Sequence, residues 1–208
     1  LLRNLPRLEA FLADVCERSP LPVSVKTRVG IANDDEYDEL LALFCRCGIT
    51  ELIVHPRVQK DFYDGAPRQE LYGKTFERAP FPIAYNGDIF SLDDYNALVA
   101  TYPQTRHVMI GRGILVNPAL AREIRGGESL ALTELKLFHD KLYETYTNDM
   151  GGNAVFRMKE WWSYAKCAFA DPSSVHRAIR KLRRADEYET AAHRIFSTEK
   201  LADSPRFS

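Results

Sequence analysis

The sequence has 208 residues, of which 45% are hydrophobic and 27% are charged, and its formal net charge is −1. This composition is typical of a globular protein that buries a sizeable core, and it excludes a mainly disordered chain. No stretch approaches the roughly 18 apolar residues of a membrane helix, and the first residues lack the pattern of a signal peptide. We therefore expect a soluble, cytoplasmic protein with no membrane partner.

Charge is distributed unevenly along the chain. Residues 1–150 contain 17 Lys/Arg and 22 Asp/Glu, whereas residues 151–200 contain 10 and 6. A basic C-terminal segment after an acidic body fits a polyanionic partner, and it equally fits a helical segment that is basic only for solubility.

The first half alternates between strand and helix patterns. The helix patterns include one that Asn33 is expected to cap and one capped by Ser91 with Asp94 three residues later. The strand starts, near residues 22, 50, 82 and 107, are roughly 25 to 30 residues apart, which is typical of βα units and predicts a parallel sheet, either open or part of a barrel. The predicted strands are Pro22–Arg28, Ile49–His55, Pro82–Asn86 and His107–Ile110.

Strand patterns are absent after Leu130, and helix patterns replace them. The predicted organisation is an α/β domain over 1–127, an all-α domain over 128–200 and a tail over 201–208. The predicted helices of the second domain are Thr133–Asn148, Val155–Phe169, Ser173–Ala185 and Tyr188–Ile195.

The four cysteines lack the spacing of a zinc site or of a disulfide framework. We interpret each as a small buried hydrophobe, and we predict no metal site.

Polar residues stand where each predicted strand ends, which is where parallel α/β folds place their sites. A single charge or glycine there is ordinary, but four successive polar ends predict a face that binds an anion or a cofactor. The last two ends favour a phosphate, because glycine lets the backbone approach an oxyanion closely and Arg112 can bind it with two hydrogen bonds. The four ends are Lys26-Thr27-Arg28, His55-Pro56-Arg57, Asn86-Gly87-Asp88 and Gly111-Arg112-Gly113.

These segments, in this order, resemble the tRNA-dihydrouridine synthase family. The resemblance also rests on Tyr63-Asp64-Gly65 and on Ile114-Leu115-Val116-Asn117-Pro118, and it continues through Arg157–Trp161. It implies an FMN-binding TIM barrel, represented here by about strands 5–8 of 8, followed by a helical domain that binds tRNA. The implied reaction is reduction of uridine to 5,6-dihydrouridine, with NADPH reducing the flavin.

The resemblance also assigns roles to residues. Arg28 and Arg57 would line the substrate side, and Trp161 and Trp162 would either stack on bases or, for at least one of them, lie in the core. The implied FMN contacts are Lys26, His55, Asn86, Gly87, Asp88, Gly111 and Arg112. The implied tRNA contacts are Lys159, Arg177, Arg180, Lys181, Arg183 and Arg184.

One family feature is missing. The family's Asn-x-Gly-Cys-Pro loop, whose cysteine is the general acid, has no counterpart in this sequence, and Cys16 lies in a helical pattern instead. We therefore assign no catalytic residue, and together with the missing initiator Met we expect a piece of a longer protein. An FMN-dependent barrel acting on a small metabolite and an inactive half-barrel that binds RNA remain alternatives, and the oligomeric state stays open.

Overall fold

The computed structural model describes residues 1–203 and 205, and its chain forms two compact units. The first unit comprises residues 1–88 and 97–110, and the second comprises residues 89–96 and 111 onward. The domain boundary expected near residue 127 stays a prediction. Most of the predicted tail can be described, but residues 204 and 206–208 lie outside the described part.

A four-stranded parallel sheet forms the centre of the first unit, with the strands in the order β1-β2-β3-β4. The α/β class and the parallel sheet are therefore confirmed. The strands are β1 (Ser24–Gly30), β2 (Glu51–Val58), β3 (Ile83–Tyr85) and β4 (His107–Val108).

The two faces of this sheet differ. On one face Val29, Leu52, Val54 and Tyr85 are almost fully buried. The helices that follow β1 and β2 pack on the sheet and supply apolar residues such as Phe44. Lys26, Arg28 and His55 lie on the other face, because they alternate along their strands with the residues of the buried face.

The described helices of this half of the chain are α1 (Leu5–Arg18), α2 (Glu36–Arg46), α3 (Gln69–Arg78) and α4 (Leu92–Thr101). Residues 92–96 of α4 belong to the second unit. The cap expected from Asn33 is wrong. Asp35 is the N-cap, and the carboxylate of Glu36 reaches back to accept hydrogen bonds from the N–H groups of Ile31, Ala32 and Asn33 at 2.7–2.9 Å. The Ser91–Asp94 capping box is confirmed, because each side chain accepts from the backbone N–H of the other residue at 3.2 and 3.0 Å.

In the described part of the second unit, the helices that follow β4 pack around one apolar core. Both Trp161 and Trp162 lie in this core, with exposures of 6% and 2%, so the base-stacking alternative is wrong for them. Gly151 ends the longest helix with a φ of 57°. The helices are α5 (Arg112–Val116), α6 (Leu120–Ile124), α7 (Leu132–Met150), α8 (Ala154–Ala165), α9 (Pro172–Ile179) and α10 (Ala185–Thr198).

No helix in the described part of the chain has both the length and the apolar content to cross a membrane. The same residues contain no group of three or more metal-ligating side chains. None of the four cysteines, all of which lie in the described residues, forms a disulfide. Cys47 and Cys167 are buried as expected, but Cys16 and Cys45 are partly exposed, so the expectation is wrong for these two.

Candidate functional site

The polar face of the sheet brings together the ends of β1 and β2. In the parallel ladder Arg28 is paired with His55 and Lys26 with Ile53, so these side chains project from the same side. Lys26 is exposed, Arg28 is half-buried, and His55 is only 7% exposed. The structure therefore gathers three of the predicted site residues into one cationic cluster.

Arg28 is held by two backbone carbonyls. Its Nη1 donates to the oxygen of Val58 at 2.7 Å and its Nη2 donates to the oxygen of Phe62 at 2.6 Å. Its guanidinium also lies 5.5 Å from the centre of the Tyr63 ring. The planar fork of an arginine can bridge two acceptors in this way, so Arg28 fixes the segment that follows β2.

Arg57 forms a buried ion pair with Asp88. Its two Nη atoms donate to the two carboxylate oxygens at 3.1 and 2.6 Å, and Nη2 also donates to the Gly65 carbonyl at 2.6 Å. Arg57 is 1% exposed, and its Nε has no hydrogen-bond partner among the described residues. This placement differs from the expectation that Arg57 lines the substrate side, because its Nη groups donate hydrogen bonds to Asp88 and Gly65 within the protein.

His55 lies among positive charges. Burial, followed by the charges of Arg28, Lys26 and Arg57, lowers the pKa of His55 to about 4, although Asp88 opposes the shift. The imidazole is therefore neutral at pH 7, and its Nε2 lies 3.4 Å from an Arg57 nitrogen. A neutral imidazole can accept or donate a hydrogen bond without adding to the positive charge.

The amino group of Lys26 also lies near a positive charge, that of Arg28. Desolvation of its amino group lowers the pKa of Lys26, and the nearby Arg28 charge lowers it further. The cluster consequently favours a ligand that brings negative charge.

The segment after β3 is fixed by backbone and side-chain contacts. The Asn86 N–H donates to the Val54 carbonyl at 2.8 Å, and its Nδ2 donates to the Met109 carbonyl at 2.7 Å. A methyl group at Gly87 would lie 2.1 Å from the Tyr85 hydroxyl oxygen, so only glycine fits beside that buried ring. Asn86 and Gly87 thus set the course of the backbone that leads to Asp88.

A tight turn follows β2, and no pattern in the sequence indicated its detailed form. The Asp61 carboxylate accepts from the Val58 N–H at 3.1 Å and pairs with Arg68, which also pairs with Asp34 at 2.7 Å. The turn places the side chain of Phe62 in solvent, with 71% of its surface exposed.

A groove of about 860 Å³ runs beside β1 in the first unit. Lys26 and Arg28 line it on the strand side, and apolar residues such as Phe11 and Leu12 of α1 line it on the helix side. The arrangement combines cations with an apolar wall, which suits a ligand that has both an aromatic part and an anionic part.

Gly111 and Arg112 belong to the second unit, at the start of α5. The Arg112 guanidinium lies 5.5 Å from the centre of the Phe90 ring. A methyl group at Gly111 would have no described atom within 4 Å, so its backbone is open to approach. This predicted strand end leads directly into the short helix α5.

The basic residues of the second unit fall into two groups. Lys159 donates to the Leu182 carbonyl at 3.0 Å, and Arg184 pairs with Asp186 at 2.7 Å. The remaining predicted tRNA contacts are exposed and make no ion pair within the described residues. They are Arg177, Arg180, Lys181 and Arg183.

Comparison with known proteins gives a family. The family model for dihydrouridine synthase (Dus) matches residues 1–199 of this chain.

Several curated relatives are similar to the chain, and each is named tRNA-dihydrouridine(16) synthase. One from Neisseria meningitidis serogroup A is 30% identical over 186 residues, which cover 82% of this chain and 54% of the relative. One from Salmonella typhimurium is 30% identical over 184 residues, covering 85% and 57%, and one from Yersinia pestis is 29% identical over 180 residues, covering 84% and 57%. The chain spans about half the length of the curated relatives that it matches.

Proposed function

The chain belongs to the dihydrouridine synthase family, and from this premise we propose that it is the FMN-binding and tRNA-binding part of an enzyme that reduces uridine to 5,6-dihydrouridine in tRNA. NADPH is the proposed reductant of the flavin. The relatives are named for position 16 of tRNA, so uridine 16 is the proposed target.

The cationic cluster at the ends of β1 and β2 supports the cofactor most strongly. Lys26 and Arg28 line one groove, and the crowding of positive charge lowers the pKa of both Lys26 and His55. Burial is the larger cause of both shifts, and the neighbouring positive charges add to it. The part due to these charges is unfavourable in the free protein and is relieved by an anionic ligand. FMN carries a phosphate and a flavin ring, so the donor set fits it, and when bound it would supply the hydride-transfer chemistry.

Each residue has a distinct proposed task. Lys26 and His55 would donate hydrogen bonds to polar atoms of the flavin, with His55 neutral. Arg28 would hold the segment after β2 through its two hydrogen bonds. Its positive charge would face the substrate side. Arg57 would act as a positioning residue, because it orients Asp88 and contacts His55 rather than reaching solvent.

The phosphate contacts stay proposals based on the sequence pattern. Asn86, Gly87 and Asp88 have a backbone course fixed by hydrogen bonds and by the Tyr85 ring. Gly111 has open space beside its backbone, and Arg112 can bind an oxyanion through two donors.

The tRNA surface is proposed to lie on α9 and the residues after it. Arg177, Arg180, Lys181 and Arg183 are exposed there, and exposed cations without carboxylate partners suit a phosphate backbone. We propose further that the α/β part contains about strands 5–8 of a TIM barrel, with the helical domain of residues 128–200 completing the chain.

Titration of FMN into the purified chain tests the site. We expect quenching of flavin fluorescence, and a loss of affinity of at least tenfold for Lys26→Met and for Arg112→Ala, as charge-assisted hydrogen bonds are removed. Lys74→Met, an exposed lysine on α3, is the matched control and should bind FMN normally. Binding that survives loss of both Lys26 and Arg112 would show that the site is assigned wrongly.

Dihydrouridine formation in unmodified tRNA tests the reaction. The expected result is NADPH-dependent product at position 16 with the complete enzyme that carries these residues. Reduction of a small metabolite with no product in tRNA would support a metabolite oxidoreductase instead. Salt-sensitive tRNA binding without FMN binding by the chain would support a half-barrel that only binds RNA.

A further inference from the structure

Phe62 has an unusual backbone conformation. Its φ is 49° and its ψ is −96°, and it is the one non-glycine residue with positive φ in the described part of the chain. L-residues avoid this region because the Cβ atom crowds the backbone, and a phenylalanine incurs this steric cost in full. The chain therefore keeps a strained phenylalanine at a position that glycine would occupy without strain.

The strain is maintained by its surroundings. The Phe62 N–H donates to the Gln59 carbonyl at 3.1 Å, and the Phe62 carbonyl accepts from Arg28 Nη2 at 2.6 Å. The Asp61 carboxylate ties the same turn to Val58 and Arg68. Strained residues persist only where neighbouring contacts determine their conformation, and they concentrate at functional sites.

The ring held in this way gains nothing from the core. Phe62 is 71% exposed, and the adjacent Tyr63 is 57% exposed with Arg28 beside its ring. Strain and solvent exposure both oppose folding, so the ring's value must lie in an intermolecular contact. The turn begins where β2 ends. The ring centre of Tyr63, the residue after Phe62, lies 6.1 Å from that of His55 in β2.

We propose that the Phe62 ring is a platform on which a nucleobase of the substrate RNA, flanking the reacting uridine, stacks. The inference rests on the proposed function, since it takes RNA as the substrate. A flat, exposed aromatic ring on a residue whose carbonyl is held by Arg28 matches a base that is attached to a phosphate backbone, and stacking accepts any base. Preorganisation by the turn reduces the entropy lost when the base binds.

Replacement by glycine separates the two effects of the ring. Phe62→Gly removes the platform and also removes the strain, so affinity and stability should change in opposite directions. Affinity for an unmodified tRNA transcript should fall about 5- to 150-fold, as for loss of one stacked base, while the melting temperature should rise by about 2–4 °C. Phe62→Trp should retain the affinity.

Salt dependence distinguishes stacking from charge. In the Phe62→Gly variant the slope of log affinity against log salt concentration should equal that of the wild type, because no phosphate contact is lost. Leu137→Ala is the matched control, since Leu137 on α7 is 70% exposed and should be neutral in binding.

These experiments distinguish failure of the Phe62 platform from failure of the proposed function. If the wild-type chain binds the transcript and Phe62→Gly binds equally well, the platform is overturned and the proposed function stands. If Phe62→Gly changes only the KM for NADPH in the complete enzyme, the ring contacts the reductant and the proposal is overturned. If the wild type fails to bind the transcript, both are overturned.

Discussion

Both Nη atoms of Arg57 donate to the carboxylate of Asp88, at 3.1 and 2.6 Å, and so join residues that are 31 positions apart. Arg57 is buried, whereas the Asp88 side chain is 30% exposed. Each charge stabilises the other where water has little access. Removing one charge therefore leaves the other partly desolvated and without a counter-charge.

Asp88→Asn should therefore destabilise the fold. We expect a loss of about 2–4 kcal/mol in the free energy of unfolding, since the Arg57 charge stays buried without its counter-charge. Chemical denaturation followed by circular dichroism measures this loss. Asp64→Asn, at an exposed carboxylate without an ion pair in the described residues, is the control. A loss below about 0.5 kcal/mol, as for an ordinary surface substitution, would contradict the buried-pair interpretation.

His55 should make stability depend on pH. Its folded pKa of about 4 lies below the usual histidine value of 6.5, so the unfolded state takes up a proton first as the pH falls. The stabilising contribution is complete above about pH 6.5 and is lost progressively as the pH falls towards 4, by about 2–3 kcal/mol in total.

The measurement is a comparison of unfolding free energies at pH 7 and pH 4.5 for the wild type and His55→Gln. The variant should lose less stability than the wild type over this interval. Buried His139, whose pKa is also lowered, contributes to both proteins and cancels in the comparison. An imidazole titration by NMR with a midpoint near 6.5 for His55 would show that neither burial nor the nearby cations lower its pKa.

Tyr188 should be a critical residue of the helical core. Its hydroxyl accepts from Trp162 Nε1 at 3.0 Å and lies 2.6 Å from His139 Nε2. Tyr188→Phe leaves both buried groups without this partner, and we expect a loss of about 1–3 kcal/mol. Tyr143→Phe, which removes a contact with the exposed Glu189, should cost much less. Thermal unfolding of the three proteins checks the ranking, and equal melting temperatures would contradict it.

The exposed cations of the second unit should control tRNA affinity through charge. Alanine at Arg177 or Arg180 should weaken binding of an unmodified transcript and lower the salt slope by about 0.7–0.9 per lost contact. Arg184→Ala should change binding little, because Asp186 and Glu187 already offset that charge. Fluorescence anisotropy at several salt concentrations measures both quantities. A larger loss of tRNA affinity for Arg184→Ala than for Arg177→Ala would contradict the proposed tRNA surface.

The polar ends of the strands were predictable because side chains alternate with a period of two along each strand. Lys26 and Arg28 therefore share a face, and the ladder places His55 beside Arg28. The pairing of Arg57 with Asp88 was not predictable, because it depends on how the chain bends after β2 and β3.

Other features carried weak or misleading signals. Helix α3 follows a polar segment and contains Gly73, which lowers helix propensity, so the sequence did not indicate it. Helix α5 begins directly at Arg112, between two glycines, and the sequence did not indicate it. Phe62 carried no signal, since nothing in a sequence predicts that a phenylalanine adopts positive φ.

The crowding of Lys26, Arg28 and His55 links ligand binding to protons. An anion on this face would raise the pKa values that the cations now lower, so the complex would hold more protons than the free protein. Binding below neutral pH would take up protons from the buffer, and the measured heat would vary with the ionisation enthalpy of that buffer. Affinity would increase as the pH falls towards the pKa of the bound imidazole, so acidity would strengthen the complex while it weakens the free fold.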